Sequence, residues 1–468
     1  MSTISLRDRS ITTPSAAALA WRQALLAVAA VAVTLGLIQA FPPARGALVL
    51  GAALALTLSR NRLLASRRGR IELALLLPLV SLLTIGVGLL LRHAPLAGAL
   101  AYIAGMFLSI WLRRYGPAGS RIGSLLALPF ITLLVVPGGG APPWIAAAVG
   151  LLALLVAMIL RLLAHAAHFL PPEPAEAAPK EDAAPARASS LRPIASTRMA
   201  IQLALALAVA FACAALLFRD HATWVVLAAL LIFTGNRGRA DVLYKGGLRV
   251  AGVALGTVIG GGVTAAMAAG RLPAHGVPLA ALMLAIVGVG LGLRQWSYAA
   301  WACAMTLVIA LLQDVVVAAP GGASQALWMR VLATVVGAAC SIVAAWLVLP
   351  VRSEPVLRRR IADALAALGE YLAEPLPERG RSVAAALARV EEVAPPWEAW
   401  DRVVRHWRPD APRPGQWARL TRECVALARS RPGAGGPARK LLGEARRSLR
   451  EPARIGPALA ALREALAA

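Results

Sequence analysis

Ionisable and aromatic residues set within long apolar runs are where this sequence could do chemistry. Asp314 and Arg330 lie towards the facing ends of two such runs. A charge inside hydrocarbon is costly, so such residues tend to mark a solute or ion pathway. The two could pair or line a polar mouth; simple contact with interfacial water, reached by snorkelling, explains them equally well. Asn236, Arg237, Arg239 and Arg249 flank a short apolar run and would draw an anion to its entrance. A topology signal accounts for most of these arginines without any function. Trp224, Trp296, Tyr298 and Trp301 could stack an aromatic solute, or form the belt that Trp and Tyr make at membrane interfaces. The candidate substrate pathway is therefore Trp224, Asn236, Arg237, Arg239, Arg249, Trp301, Asp314 and Arg330.

Covalent and metal chemistry find little support. His165 and His168 stand three apart with only Glu173 near them in sequence, too few ligands for a metal site. Cys213, Cys303, Cys340 and Cys424 form no CxxC pair, so they read as small apolar fillers. No GxxxxGK[ST], HExxH or GxSxG motif occurs, which argues against ATP-driven transport by this chain and against an enzyme. Neither a cofactor nor a metal is expected.

The elements that must position these residues follow from composition. Of 468 residues, 59% are hydrophobic and 15% charged, against about 25% charged in soluble domains. Mean hydropathy is +0.69. Apolar stretches fit for a bilayer fall at 18–40, 46–59, 71–91, 94–112, 120–136 and 143–164, then at 198–218, 222–235, 248–269, 277–293, 298–317 and 326–349. The first is read as a retained helix, since its length exceeds that of a cleaved signal. Arg60, Arg62, Arg67, Arg68 and Arg70, then Arg113, Arg114 and Arg121, and later Arg352 and Arg358 to Arg360, all fall on one side if the N-terminus is cytosolic. The positive-inside rule then puts both termini in the cytoplasm of a bacterial inner membrane. It also explains the net charge of +25 without nucleic acid as a partner.

The two halves can be laid over one another. Thr57 falls on Thr234, Arg60 on Arg237, Arg62 on Arg239, Arg22 on Arg198 and Trp144 on Trp328. An even number of spans per half gives both halves one orientation, which makes the repeat parallel. Chance matching of alanine- and leucine-rich runs is the competing explanation. The second and eighth spans are short: roughly fourteen residues reach about 21 Å, less than the hydrocarbon thickness. Short segments at matching places in two halves point to a transport site, or to bilayer thinning beside a tilted neighbour.

The expectation is an all-α polytopic membrane protein with about twelve transmembrane helices as two parallel six-helix repeats. The repeats span 1–170 and 198–350, joined by a Pro- and Ala-rich cytosolic linker at 171–197. A C-terminal cytosolic helical domain, 351–468, follows where hydropathy falls and amphipathic patterns begin.

Trp224-Val225-Val226-Leu227 leading to Arg237 and Arg239, followed by Arg249 and Gly256-Thr257-Val258-Ile259-Gly260, resembles the fusaric-acid-resistance and aromatic-acid-exporter superfamily. Arg330 to Gly337 repeats a similar pattern. The resemblance covers the second half well and the first half weakly, and only a linker stands where members often carry a large cytosolic domain. It implies efflux of small organic, including aromatic, acids. Physically, Gly252, Gly256 and Gly260 form one small-residue face, with Thr257 next to it and Gly337 on the last span, and such faces let helices approach in lipid. Packing is the preferred role for these five.

The functional expectation is a secondary exporter or anion permease for small organic acids. Its partners are the lipid bilayer and an organic anion, with a second copy of the chain or a periplasmic adaptor left open. Proton coupling through Asp314 is also open. The alternative is a non-transporting scaffold whose basic tail binds a partner or anionic lipid.

Overall fold

Long apolar runs without period-two alternation must satisfy their backbone internally in lipid, and the helix does this within one segment. The computed structural model describes residues 16–42, 47–60, 67–135, 142–170, 194–218, 222–234, 238–273, 275–294, 296–317, 323–349, 353–407, 413–430 and 436–467. Among these residues there are helices and no strand. The apolar part of the chain forms α1 (Ala16–Gln39), α2 (Leu48–Leu58), α3 (Arg67–His93), α4 (Pro95–Trp111), α5 (Gly116–Val135) and α6 (Pro143–Ala166). It continues as α7 (Ala195–Leu217), α8 (Ala222–Phe233), α9 (Arg239–Ala268), α10 (Gly276–Leu293), α11 (Tyr298–Val317) and α12 (Ala323–Leu347). Proline opens α4 and α6, where its missing N–H and fixed φ cost nothing. The expected linker, 171–197, lies almost wholly outside the described residues.

Among the described residues, seven helices are long and apolar enough to cross a membrane: α1, α4 with the 3₁₀ turn after it, α6, α7, α9, α10 and α12. The chain is a multi-pass, all-helical membrane protein. α2 and α8 have only 11 and 12 residues. α8 is buried at Val225 to Leu230, Ile232 and Phe233, so protein rather than lipid surrounds most of it.

α9 departs from the expected span 248–269. It begins at Arg239 and runs for 30 residues. Hydropathy registers only its apolar part; the added turns are held by polar contacts. Lys245 pairs with Asp241 at 2.8 Å, one helical turn apart, and the Ala240 amide donates to Ser353 Oγ at 3.4 Å.

Two compact units divide the chain. The first comprises Met1–Thr234 and Gly246–Ala344. In it α1 packs on α2, α6 and α10, and α4 packs on α3, α5 and α7. α7 also meets α8, and α10 meets α11. Tyr102 of α4 ties three helices together. Its hydroxyl donates to the Phe130 carbonyl at 3.0 Å, and its ring meets Phe130 and Phe211 edge-on at 5.3 and 5.7 Å. Each such aromatic pair contributes about 0.5–1.5 kcal/mol beyond its burial.

The second unit comprises Gly235–Lys245 and Ala345–Ala468. Its helices are α13 (Glu354–Ala373), α14 (Pro377–Glu391), α15 (Pro395–Trp407), α16 (Pro414–Ser430), α17 (Gly436–Ser448) and α18 (Pro452–Ala467). Leu357, Ile361, Leu365 and Leu368 recur at helical spacing on α13 and join Trp417, Val425, Leu459 and Leu462 in one core. Arg413 precedes α16, and a guanidinium, which only donates, cannot cap its amides. Asp401 of α15 does so instead, accepting from the Gln416 amide at 2.8 Å. Gly415 is required there, because a Cβ would lie 2.7 Å from both Asp401 Oδ2 and the Glu398 amide nitrogen. Burial pushes the Asp401 carboxyl above the ordinary carboxylate range, against the opposing pull of the Gln416 and Gly415 amides, Arg419 and Arg413.

Candidate functional site

The closest helix contacts in the second half come from small residues. A Cβ on Gly252 would stand 2.4 Å from the Ala299 carbonyl, and one on Gly256 would stand 2.6 Å from the Cys303 carbonyl. Gly260 is looser, with Ala310 Cβ at 3.2 Å from such an atom. These three residues seat α9 against α11. Gly337 does the same for α12 against α8, with the Val225 carbonyl 2.4 Å from a Cβ there. Ser341, one turn further on, donates to the Ala229 carbonyl of α8 and to its own helix at Gly337. Thr257 is buried on the α9 face, and its hydroxyl oxygen has no hydrogen-bond partner among the described residues.

Arg330 sits among these helices. It is 4% exposed. Its guanidinium lies over the Trp224 ring of α8, 4.2 Å from the centroid, and donates to the Thr306 carbonyl of α11 at 3.4 Å. No carboxylate pairs with it among the described residues. Thr306 keeps its own hydroxyl occupied on the Ala302 carbonyl at 2.8 Å, leaving its backbone oxygen to meet Arg330. Arg249 of α9 is half-buried and close enough to Arg330 to act on it electrostatically. Its Nε is buried without a hydrogen-bond partner among the described residues. A buried guanidinium held by an aromatic face and one long hydrogen bond retains donors and a full charge for an anionic ligand.

The other pathway candidates separate. Arg239 belongs to the second unit, where its guanidinium lies 4.8 Å from the centroid of the Trp346 ring. Trp301 is half-buried and packs with Ala24, Ala27, Val287 and Leu291. Arg294 covers its ring at 5.5 Å. Asn236 and Arg237 lie outside the described residues, as does the side chain of Asp314, although α11 includes that residue. Sequence reading missed two features. One is the Thr306 carbonyl, for which no sequence signal exists. The other is the approach of Arg60 to Arg294 after α2 and α10, where the like charge of Arg294 acts on Arg60.

Helices long and apolar enough to cross a bilayer define a multi-pass membrane protein, and Arg330 lies buried among them without a carboxylate partner among the described residues. Residues 203–344, which include Trp224, Arg249, Thr306 and Arg330, match the family described as fusaric acid resistance protein-like. No curated protein and no solved structure matches the chain.

Proposed function

We propose that this protein is an inner-membrane secondary exporter or anion permease for small organic acids, with Arg330 as the counter-charge for the substrate. The observation that carries the reading is an arginine 4% exposed, over Trp224 and without a carboxylate among the described residues, in the segment that matches the fusaric-acid-resistance-like family. An unpaired buried charge is costly to keep, and an anion passing through would relieve that cost transiently.

A parallel two-fold repeat of six helices supports an alternating-access or channel arrangement about one internal site. Advancing each element by six turns the pair α1–α10 into α7–α4, α1–α2 into α7–α8, and α4–α5 into α10–α11, and all of these pairs pack together. The α2–α6 contact has its counterpart in Gly337 of α12 on α8. The α3–α5 contact has its counterpart in Gly252 and Gly256 of α9 on α11. The site is not repeated: the arginines and Trp224 belong to the second half.

Energetics fit efflux. With the cytosol negative, each anionic charge leaving gains about 2.3 kcal/mol per 100 mV, so no proton-carrying carboxylate is needed. The test is uptake of labelled carboxylates into inside-out vesicles holding the purified protein. Accumulation that depends on an inside-positive potential and is lost in Arg330→Gln is expected. Flux of no acid from folded protein would overturn the proposal.

A further inference from the structure

We infer that one corner of the second unit, where the start of α13 meets the end of α17, docks on anionic phospholipid headgroups of the leaflet at which α12 ends. Three contacts set α17 antiparallel along α13. Arg439 at the start of α17 donates to the Leu372 carbonyl near the end of α13 at 2.7 Å. Midway, a Cβ on Gly369 would stand 3.1 Å from Leu442 Cδ2. At the other end Arg358, one turn into α13, donates to the Leu449 carbonyl just past α17 at 3.4 Å. The turn bearing Arg446, Arg447 and Arg450 is thereby laid alongside the turn bearing Arg358 and Arg359. Arg359, Arg446, Arg447 and Arg450 are exposed, and their side chains pair with no carboxylate among the described residues. The carboxylates of Glu354 and Glu451 are already engaged, by Arg358 at 3.6 Å and by Arg454 at 2.9 Å.

The chain itself holds this corner near a bilayer. Residues 345–347, the last of α12, belong to the same unit, and α12 is long and apolar enough to span. Trp346, Leu347 and Leu349 are 40%, 77% and 41% exposed, as apolar and tryptophan side chains are where a spanning helix meets the interface. Glu354, the first residue of α13, comes five residues after Leu349, a reach of at most about 17 Å. The start of α13, and with it the last turn of α17, therefore stands close to the headgroups. Guanidinium forks match phosphate oxygens in pairs, and clustered basic residues beside a spanning helix are drawn to an anionic leaflet.

The test places the full-length protein in nanodiscs of phosphatidylcholine, alone or with about one-third phosphatidylglycerol. Exposed arginines are modified with phenylglyoxal, and the rate at each is read by mass spectrometry. Arg359, Arg446, Arg447 and Arg450 should react about fivefold more slowly in the anionic discs, the factor equivalent to about 1 kcal/mol per basic residue at such a surface. Arg381 is the control, its side chain 78% exposed. It follows Gly380, where a Cβ would meet the Tyr371 ring at 3.6 Å, about 20 Å along α13 from Arg358 at 1.5 Å per residue. That exceeds the surface field's range of about 10 Å, so its rate should not change. Protection of the four should vanish in about 1 M salt, where the range falls to about 3 Å. Equal rates at the four arginines in the two discs would overturn the inference, as would equal slowing at Arg381. Protection by inorganic phosphate in phosphatidylcholine discs, with none from phosphatidylglycerol, would overturn it in favour of a soluble anion. Flux is not the readout, so the transport reading stands or falls separately.

Discussion

Replacing Gly256 by Ala puts a methyl group where α9 and α11 meet. That carbon would lie 2.6 Å from the Cys303 carbonyl oxygen and 2.8 Å from Thr306 Cβ. Restoring ordinary contact, at about 3.4 Å, requires the two helices to part by roughly 0.6–0.8 Å along a packed face, and overpacking of this kind costs about 1–3 kcal/mol. Alanine also favours the helix by about 1 kcal/mol over glycine, which would mask part of the loss. Gly262, on the same helix, provides the control, since a Cβ there meets nothing within 4 Å. Gly256→Ala should therefore be less stable than Gly262→Ala by about 1–3 kcal/mol, with the propensity term cancelling. Denaturation of the two variants in mixed micelles, followed by circular dichroism, reads the difference. Because α9 bears Arg249 and α11 bears Thr306, Gly256→Ala should also lose uptake that Gly262→Ala retains. Equal stability of the two variants, within about 0.5 kcal/mol, would refute the close approach of α9 and α11.

Arg330→Gln should reduce acid uptake at least about a hundredfold, and Arg330→Lys should restore part of it, because lysine keeps the charge but loses the planar fork and much of the stacking; initial rates in vesicles measure both. Asp401 makes the second unit sensitive to pH. Its carboxyl is raised in the folded state, chiefly by burial, so the folded form binds more protons and stability is greatest below the unfolded value of about 4. Stability should fall as pH rises from there through the raised folded value, then level off; urea titrations at several pH values check the sign. Asp401→Ala leaves the Gln416 amide unpaired and should cost about 1–2 kcal/mol, while Asp401→Asn keeps an acceptor and should cost less. Removing residues 351–468 should leave measurable flux in a transporter, whereas complete loss of function with a folded membrane unit would favour the scaffold reading.

The helical, membrane-embedded character of the chain was legible because apolar runs of bilayer length leave few other folds. The start of α9 was not. Its first turns carry Arg239, Asp241 and Lys245, and hydropathy reads polarity there, although an ion pair one turn apart and a bond from the Ala240 amide to Ser353 sustain the helix. Arg330 was legible as an exceptional residue, but its surroundings were not. By position it stands towards the outer end of its span with Asp314, whose side chain lies outside the described residues, as a natural partner; among the described residues its guanidinium meets Trp224 and a backbone carbonyl of α11. Which way a long side chain turns depends on how three helices pack, and residue spacing within one helix does not encode that. Arg239 and Arg249 look alike in sequence, yet one lies over Trp346 in the second unit and the other stands near Arg330 in the first.

The central claim is that Arg330 meets a substrate anion, and binding tests it more directly than flux. Full-length protein in nanodiscs would be titrated with succinate while intrinsic tryptophan fluorescence is recorded, with Trp224→Phe identifying the share from the ring that lies against Arg330. Saturable quenching or enhancement that disappears in both Trp224→Phe and Arg330→Gln is the predicted result. A signal that persists in folded Arg330→Gln with unchanged affinity would contradict the account, since the anion would then be held without the one buried guanidinium assigned to receive it.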